Sequence, residues 1–248
     1  MIKHYYDTCF SFTEQVKNKE NYDTIFSGKT SAKRPGCKDV FHAFLVKDAV
    51  YEGFLEIPRI LPVDASPKKL IVFSKAIKSE DHDAWIHFYE DDAAFERIWN
   101  NPRKYLPVIK RFEGVISPDF SLYRDMPLVM QLWNIYRSRA LASWFQRHGI
   151  PVIPNVRFGD ERTYEPSCTG VPANSIIAIG THGCIKLNRE RTFLIEGLEY
   201  VVKTLAPKEI IVYGAAPDSV FEKYRQAGIR ILQFDSDYMV AHRKAGEC

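Results

Sequence analysis

The sequence predicts an α/β protein with a mainly parallel, barrel-like sheet and an irregular N-terminal part. Beyond Asp91, short apolar runs alternate with helical stretches, and each run ends abruptly in carboxylates, arginines, hydroxyls or an amide. A parallel strand is covered on both faces, so its middle is apolar, while its carboxyl end opens to solvent and ligand. Strands that alternate with helices pair in parallel through right-handed crossovers. We therefore expect mutually parallel strands ending at Asp119, Arg157, Gly180, Tyr213 and Phe234.

About eight apolar runs supply strands, enough to close a (β/α) barrel whose first helices are missing or irregular. An open doubly wound sheet is the alternative, and both architectures place ligands at the carboxyl ends of the strands. The connections 64–67 and 79–83 are too short to hold a helix, so the first three runs are not expected to be joined by helical crossovers. The runs span residues 53–58, 70–74, 84–89, 114–119, 152–157, 175–179, 209–213 and 229–234.

The longest predicted helix runs from Leu128 to about His148, with Asp125 as its N-cap, Pro127 in its first turn and Gly149 just past its end. Apolar residues at spacings of three and four predict its inward stripe, and three arginines lie off that stripe. The stripe consists of Val129, Leu132, Trp133, Tyr136, Ala140 and Trp144, and the arginines are Arg137, Arg139 and Arg147.

Three further helices are predicted, at 92–99, 191–205 and 219–226. Pro102 and Pro107 are expected to break or restart the first of them. Residues 1–50 mix polar, aromatic and basic side chains without a clear period, so we expect an irregular cap or arm there. Residues 51–248 are then expected to form a single α/β domain.

Composition limits the classes of function. The net charge of +3 comes without a long Lys/Arg block, so we expect duplex DNA to bind no tighter than nonspecific contacts allow. Apolar runs stay below the roughly 18 residues that a membrane span needs, and the N-terminus has no signal-peptide core. Five cysteines at irregular spacings, with no C-x-x-C pair, argue against a disulfide framework or a zinc ribbon. These features predict a cytoplasmic protein with free thiols.

Asp119 and Asp160 follow consecutive predicted strands, and Glu161 comes directly after. Two carboxylates in different environments have their pKa values pushed apart, which suits one acid and one base in hydrolytic or glycosidic chemistry. Both also have a structural interpretation. Asp119 is a plausible turn residue, and Asp160, Glu161 and Arg162 together resemble a surface ion network.

Arg124 and Arg157 belong to the same two strand ends, and guanidinium groups hold phosphate or carboxylate through paired hydrogen bonds. The alternative is that each neutralises a neighbouring aspartate. Asn155 lies in an otherwise apolar run, so its amide must either bind a ligand or orient a neighbouring side chain. Four residues are therefore predicted to bind substrate here: Arg124, Asn155, Arg157 and Glu161.

Thr181-His182-Gly183-Cys184 follows the next strand, and Tyr213 ends the one after it. An imidazole and a thiol two residues apart point the same way in an extended segment, which suits a nucleophile with its base or two metal ligands. A third ligand at diagnostic spacing is missing, so no metal site is predicted. His182 is the third catalytic candidate, and Thr181 and Tyr213 complete the substrate-binding set. Without a P-loop or G-x-G-x-x-G pattern, neither ATP nor NAD is predicted as a cofactor.

Four segments carry a resemblance to a known family: SPDFSLYRDMP (117–127), NVRFGDERTYE (155–165), THGCIK (181–186) and IVYGAAPD (211–218). They resemble the core motifs of a domain-of-unknown-function family of bacterial and phage-associated proteins, over roughly the last two thirds of the chain. The resemblance implies an intracellular protein often carried by phages or other mobile elements. It implies no particular reaction, substrate or catalytic residue.

Two functions fit the sequence. The first is a cofactor-independent enzyme, of hydrolase, lyase or glycosyl-transfer type, that acts on a small anionic or nucleotide-like substrate. Asp119, Arg157, Asp160 and His182 should then converge on one cavity. The second is a binding protein that contacts nucleic acid or a host protein through Arg137, Arg139, Arg147 and aromatic residues such as Tyr136 or Trp144. The variety of polar residues at strand ends favours the enzyme, and the oligomeric state is left open.

Overall fold

The computed structural model describes residue 39, residues 41–185 and residues 187–246. Most of the predicted N-terminal cap therefore lies outside the described residues. A two-stranded antiparallel hairpin comes first, formed by β1 (Tyr51–Glu52) and β2 (Ile57–Pro58). The run 53–58 was expected to be one strand of the main sheet, and that expectation was wrong. Its centre turns at Gly53, whose φ of 70° is favoured by glycine, and at Glu56.

Seven parallel strands follow, in two sheets. The strand order equals the chain order, and a single parallel bridge between Asn155 and Ala178 joins the two sheets. The prediction of mutually parallel strands is thus confirmed for each paired neighbour. The first sheet contains β3 (Leu70–Val72), β4 (Trp85–His87), β5 (Gly114–Ile116) and β6 (Val152–Ile153), and the second contains β7 (Ile176–Gly180), β8 (Glu209–Tyr213) and β9 (Arg230–Phe234).

Eight α-helices are described, and most of them cover one face of these sheets. Helix α1 (Phe73–Ala76) corrects the expectation that no helix lies between the second and third runs, because Phe73 turns out of the strand to pack on Phe88. The others are α2 (Asp92–Asn100), α3 (Pro102–Ile109), α4 (Leu128–Arg147), α5 (Glu161–Cys168), α6 (Asn188–Leu205), α7 (Asp218–Gln226) and α8 (Asp237–Gly246).

On the other face of the sheets, the side chains of the strands pack mainly against one another. Its buried cluster is built from strand residues: Trp85, Ile116, Ile153, Ile176, Ala178 and Ile211. Just past the end of β4, Tyr89 stacks on Tyr213 of β8 at 4.8 Å between ring centroids, although these strands are not neighbours. The sheets therefore curl around this cluster. The described strands do not pair into a closed ring, so the confirmed part of the expectation is a mainly parallel α/β fold.

Helix α4 differs from its predicted orientation. Asp125 does not cap it, and the preceding residue Pro127 offers no side-chain acceptor. Val129 is 71% exposed, whereas Arg137 and Arg139 are buried. The middle of the helix is buried on nearly all sides. Arg137 and Arg139 can be buried there because each donates hydrogen bonds to oxygen atoms. Gly149, with a φ of 79°, follows the helix end as predicted.

Candidate functional site

Asp119 lies just beyond β5 and is 8% exposed. Its Oδ1 accepts a hydrogen bond from Asn155 Nδ2 at 2.7 Å, and its Oδ2 accepts one from the Arg157 guanidinium at 2.9 Å. Burial raises the pKa of the Asp119 carboxyl above its usual value, and Arg157 and Asn155 offset part of that effect. The structure thus brings together three of the residues that the sequence singled out.

Both polar side-chain atoms of the buried Asn155 are hydrogen-bonded. Its Oδ1 accepts from the Tyr89 hydroxyl at 2.9 Å, and its backbone N–H donates to Ser117 Oγ at 2.8 Å. Its backbone carbonyl accepts from Arg139 at 2.9 Å. These contacts fix the amide that orients Asp119, so Asn155 is a positioning residue in this structure.

Arg139 was missed as part of the site by sequence reasoning. Its guanidinium bonds two backbone carbonyls, those of Asn155 and Ser167, and so ties the end of β6 to the end of α5. Burial lowers its pKa to about 10, which leaves it charged at neutral pH. Nothing local in the sequence identifies these partners, which lie 16 and 28 residues away.

Two adjoining cavities open beside Asp119, with volumes of about 660 Å³ and 430 Å³. They share four lining residues: Tyr123, Arg157, Gly180 and His182. The larger, which we name the basic cavity, is lined by three arginines and two carboxylates: Arg124, Arg157, Arg189, Asp125 and Glu190. The smaller, the acidic cavity, is lined by Arg157 and five carboxylates: Glu90, Asp91, Asp92, Asp119 and Asp237.

Aromatic rings form much of the wall of the acidic cavity. Tyr89 and Tyr213 are stacked there, and the exposed Tyr238 of α8 lies edge-on to His182 at 5.7 Å between centroids. The Tyr213 hydroxyl accepts from the backbone N–H of Asp237 at 3.1 Å. A side chain at position 180 would crowd this wall, because a Cβ there would lie 3.0 Å from the Tyr89 ring. Thus His182 and Tyr213 reach the cavity that Asp119 lines.

The basic cavity contains a rigid arginine. Arg124 forms two hydrogen bonds with Glu190, at 2.7 and 2.5 Å, and lies over the Phe193 ring at 4.2 Å. Arg189, from the first turn of α6, is exposed at the cavity edge. Cys184 also lines this cavity, and burial raises the pKa of its thiol, so it is not an activated nucleophile as it stands.

Four predicted site residues do not line either cavity: Asn155, which positions Asp119, and Asp160, Glu161 and Thr181. Asp160 is the N-cap of α5, where it accepts from the Arg162 backbone N–H and side chain and forms a capping box with Thr163. These bonds lower its pKa. Glu161 is exposed on the same helix, and the Thr181 hydroxyl donates to the carbonyl of Ala215 at 2.8 Å. We therefore leave Asp160 out of the candidate site.

The side chains named for the nucleic-acid alternative are largely engaged within the protein. Arg137 forms an ion pair with Glu96 and bonds Asn134, while Arg139 is buried. Arg147 donates to the backbone carbonyls of Phe44, Leu45 and Lys47, and Trp144 is buried. They do not form an accessible basic surface.

Within the part of the chain that the structure describes, no three His, Cys, Asp or Glu side chains are grouped to hold a metal ion. In the same residues, no helix is both long and apolar enough to cross a membrane.

Comparison with known proteins identifies relatives in phages. The chain is 30% identical to the Gene 1 protein of Mycobacterium phage L5 over 185 residues, which covers 73% of this chain and 80% of that protein. It is also 30% identical to the Gene 1 protein of Mycobacterium phage D29 over 162 residues, covering 64% of this chain and 60% of the relative. No solved structure matches it. Residues 49–235 match the family described as "Domain of unknown function (DUF4417)", and the chain belongs to that family.

Proposed function

We propose that this protein is a cofactor-independent enzyme, of hydrolase, lyase or glycosyl-transfer type, that acts on a small anionic or nucleotide-like substrate. One observation carries the proposal. Asp119 is a buried carboxyl group at the carboxyl ends of parallel strands, beside two adjoining cavities and fixed by Asn155 and Arg157. Ligand sites of parallel α/β proteins lie at this edge of the sheet.

Asp119 is the proposed acid–base group. A carboxyl group whose pKa is raised by burial is better matched to proton transfer near neutral pH than an exposed one. The charge of Asp92, which lines the same cavity, adds to the rise. Asp92, rather than Asp160, is therefore the second carboxylate of the proposed site.

Arg157 and His182 are the proposed partners of Asp119. Each of them lines both cavities, so each can contact a ligand that extends from one cavity into the other. Arg157 is suited to hold an anion through its planar guanidinium. The imidazole of His182 is suited to carry a proton to or from the reacting group.

We also propose that the two sheets form the wall of one open, barrel-like core. Support comes from the strand order, from the single bridge between β6 and β7 and from the buried cluster inside the curl. An experimental structure with helices packed against both faces of these sheets would contradict this.

We further propose that the protein is cytoplasmic. Cys168 and Cys184 are free thiols, which a reducing compartment maintains.

The enzyme proposal is tested by incubating the purified protein with a small-molecule extract of bacterial cells and comparing the extract before and after by mass spectrometry. We expect the wild-type protein to deplete one compound or a related set, and the Asp119→Asn protein to deplete none. Asp64→Asn, at an exposed ion pair with Lys208, is the matched control and should behave as wild type. An extract left unchanged by the wild-type protein would contradict the proposal.

A further inference from the structure

We propose that the ligand of this site is a nucleotide whose base carries an exocyclic amine, with the base in the acidic cavity and the phosphate in the basic cavity. This inference deepens the proposed function and rests on it for the assignment of the site. It is carried by the opposite charge balance of two cavities that share Arg157 and His182.

The acidic cavity repels a phosphate group and favours hydrogen-bond donors. Five carboxylates line it against one arginine, and that arginine is already paired with Asp119. Carboxylates accept hydrogen bonds from amino groups such as those of cytosine, adenine and guanine. Uracil and thymine lack an exocyclic amine, so they fit the cavity less well.

The walls of the acidic cavity suit a flat ring. Tyr89 and Tyr213 stack on each other, so Tyr238, which is 46% exposed beside His182, is the most accessible ring. Stacking of a base on an aromatic side chain contributes about 1–3 kcal/mol, without regard to which base it is. Tyr238 therefore supplies affinity for a base, and the carboxylates supply the preference for an amine.

The basic cavity suits a phosphate. Arg124 already donates both of its terminal NH groups to Glu190, whereas Arg189 forms no ion pair within the described residues and is the arginine that can bind a phosphate. Arginine binds phosphate through two parallel hydrogen bonds. The volumes of about 430 and 660 Å³ both lie in the range of small-molecule sites, roughly 300–1,000 Å³. In a nucleotide that spans both cavities, the part between the base and the phosphate would lie beside Arg157 and Asp119.

Calorimetric titration of the wild-type protein tests this inference with AMP, CMP, GMP, UMP, adenosine and inorganic phosphate. We expect at least one of AMP, CMP and GMP to bind about tenfold or more tightly than UMP and inorganic phosphate. Equal affinity for UMP and the amine-bearing nucleotides would overturn the base assignment. Equal affinity for inorganic phosphate, or no binding tighter than about 1 mM by any of these compounds, would overturn the whole inference.

Two variants assign the halves of the ligand to the two cavities. Tyr238→Ala should weaken nucleotide binding about tenfold while leaving the affinity for inorganic phosphate unchanged. Arg189→Gln should weaken nucleotide binding and leave the affinity for adenosine unchanged. Lys223→Gln, at an exposed ion pair on α7, is the matched control and should bind as wild type. If both variants bind the nucleotide as wild type does, the assignment is wrong.

Chromatography of the titrated samples separates this inference from the proposed function. Nucleotide that binds and is recovered unchanged keeps the binding inference and contradicts catalysis on that ligand. Depletion of a different compound from cell extract, with no nucleotide binding, keeps the enzyme proposal and overturns the nucleotide inference.

Discussion

Asp119 and Arg157 form an ion pair of 2.9 Å in which the two side chains are unequally buried, at 9% exposure for the aspartate and 29% for the arginine. The arginine borders both cavities, whereas the aspartate lines only the acidic one. An anion in the basic cavity can therefore compete for Arg157 without reaching Asp119. In the proposed site, this pair would link ligand binding to the ionisation of the buried carboxyl group.

Replacing Arg157 with Gln should raise the pKa of Asp119 further. Arg157 is the largest of the causes that lower this pKa, and burial, which raises it, would remain. The limb of the pH–rate profile that reports Asp119 should then move to higher pH, and turnover should fall. A limb that stays in place or moves to lower pH would contradict the coupling between these residues.

His87 should make the protein sensitive to acid. Burial lowers its pKa from 6.5 to about 3; the nearby charge of Asp237 raises the pKa by a smaller amount, and that of Lys75 lowers it slightly further. The unfolded chain therefore binds a proton between about pH 6.5 and 3 that the folded protein does not, so stability is full above pH 6.5 and declines as the pH falls through this window. The expected loss at pH 5 is about 2 kcal/mol.

Urea unfolding of the wild-type protein and of His87→Asn at pH 7.5 and pH 5 checks this. The Asn side chain can replace Nδ1 as acceptor for the Tyr89 backbone N–H. We expect the variant to lose less stability between the two pH values. Equal losses in both proteins would assign the acid sensitivity to other groups.

Arg139 should be important for stability. Arg139→Met leaves the buried carbonyls of Asn155 and Ser167 without their donor, at a cost of about 2–4 kcal/mol. Arg147→Met is a matched control on the same helix, because its hydrogen bonds to the carbonyls of Lys47 and Phe44 are exposed and water can replace the arginine there. Urea unfolding of both proteins is the measurement. A larger loss for Arg147→Met than for Arg139→Met would contradict this interpretation.

Asp160 should behave as a helix cap. Asp160→Ala removes the acceptor of the α5 capping box and should lower stability by about 1 kcal/mol, with activity close to wild type. Asp160→Asn keeps a good capping side chain and should be more stable than the Ala variant. Thermal unfolding and turnover of the two proteins are compared. A stable Asp160→Ala protein without activity would return Asp160 to the catalytic set.

Much of the parallel α/β core could be predicted from local patterns. Strands β7 and β8 are almost continuously apolar; β7 ends in Gly180 and β8 is followed by Gly214, which is typical of buried strands that end at a ligand edge. The placement of Asp119, Arg157 and His182 around one cavity follows from the rule that parallel strands end on one side. Asp160 fits the same rule, but its hydrogen bonds to Arg162 and Thr163 make it a cap instead.

The remaining features depend on partners distant in sequence. Arg137 and Arg139 were expected to face solvent because charged residues are usually exposed. Both are buried instead: Arg137 pairs with Glu96, and Arg139 donates to the Asn155 carbonyl. Tyr89 was missed as a site residue. It lies two residues after His87 and so faces the same side of the sheet, which is a signal that alternation alone could have supplied.

The central claim is that Asp119 is an acid–base group rather than a part of the scaffold, and Asp119→Asn at pH 7 tests it most directly. Burial raises the pKa of Asp119, so its ionised form costs folding free energy above that pKa, and a neutral Asn removes the cost. We predict an unchanged or higher melting temperature than wild type, with any gain shrinking as the pH falls through the raised pKa, and a loss of turnover of about 10²–10⁴-fold. A destabilised Asp119→Asn protein with full activity would contradict the account.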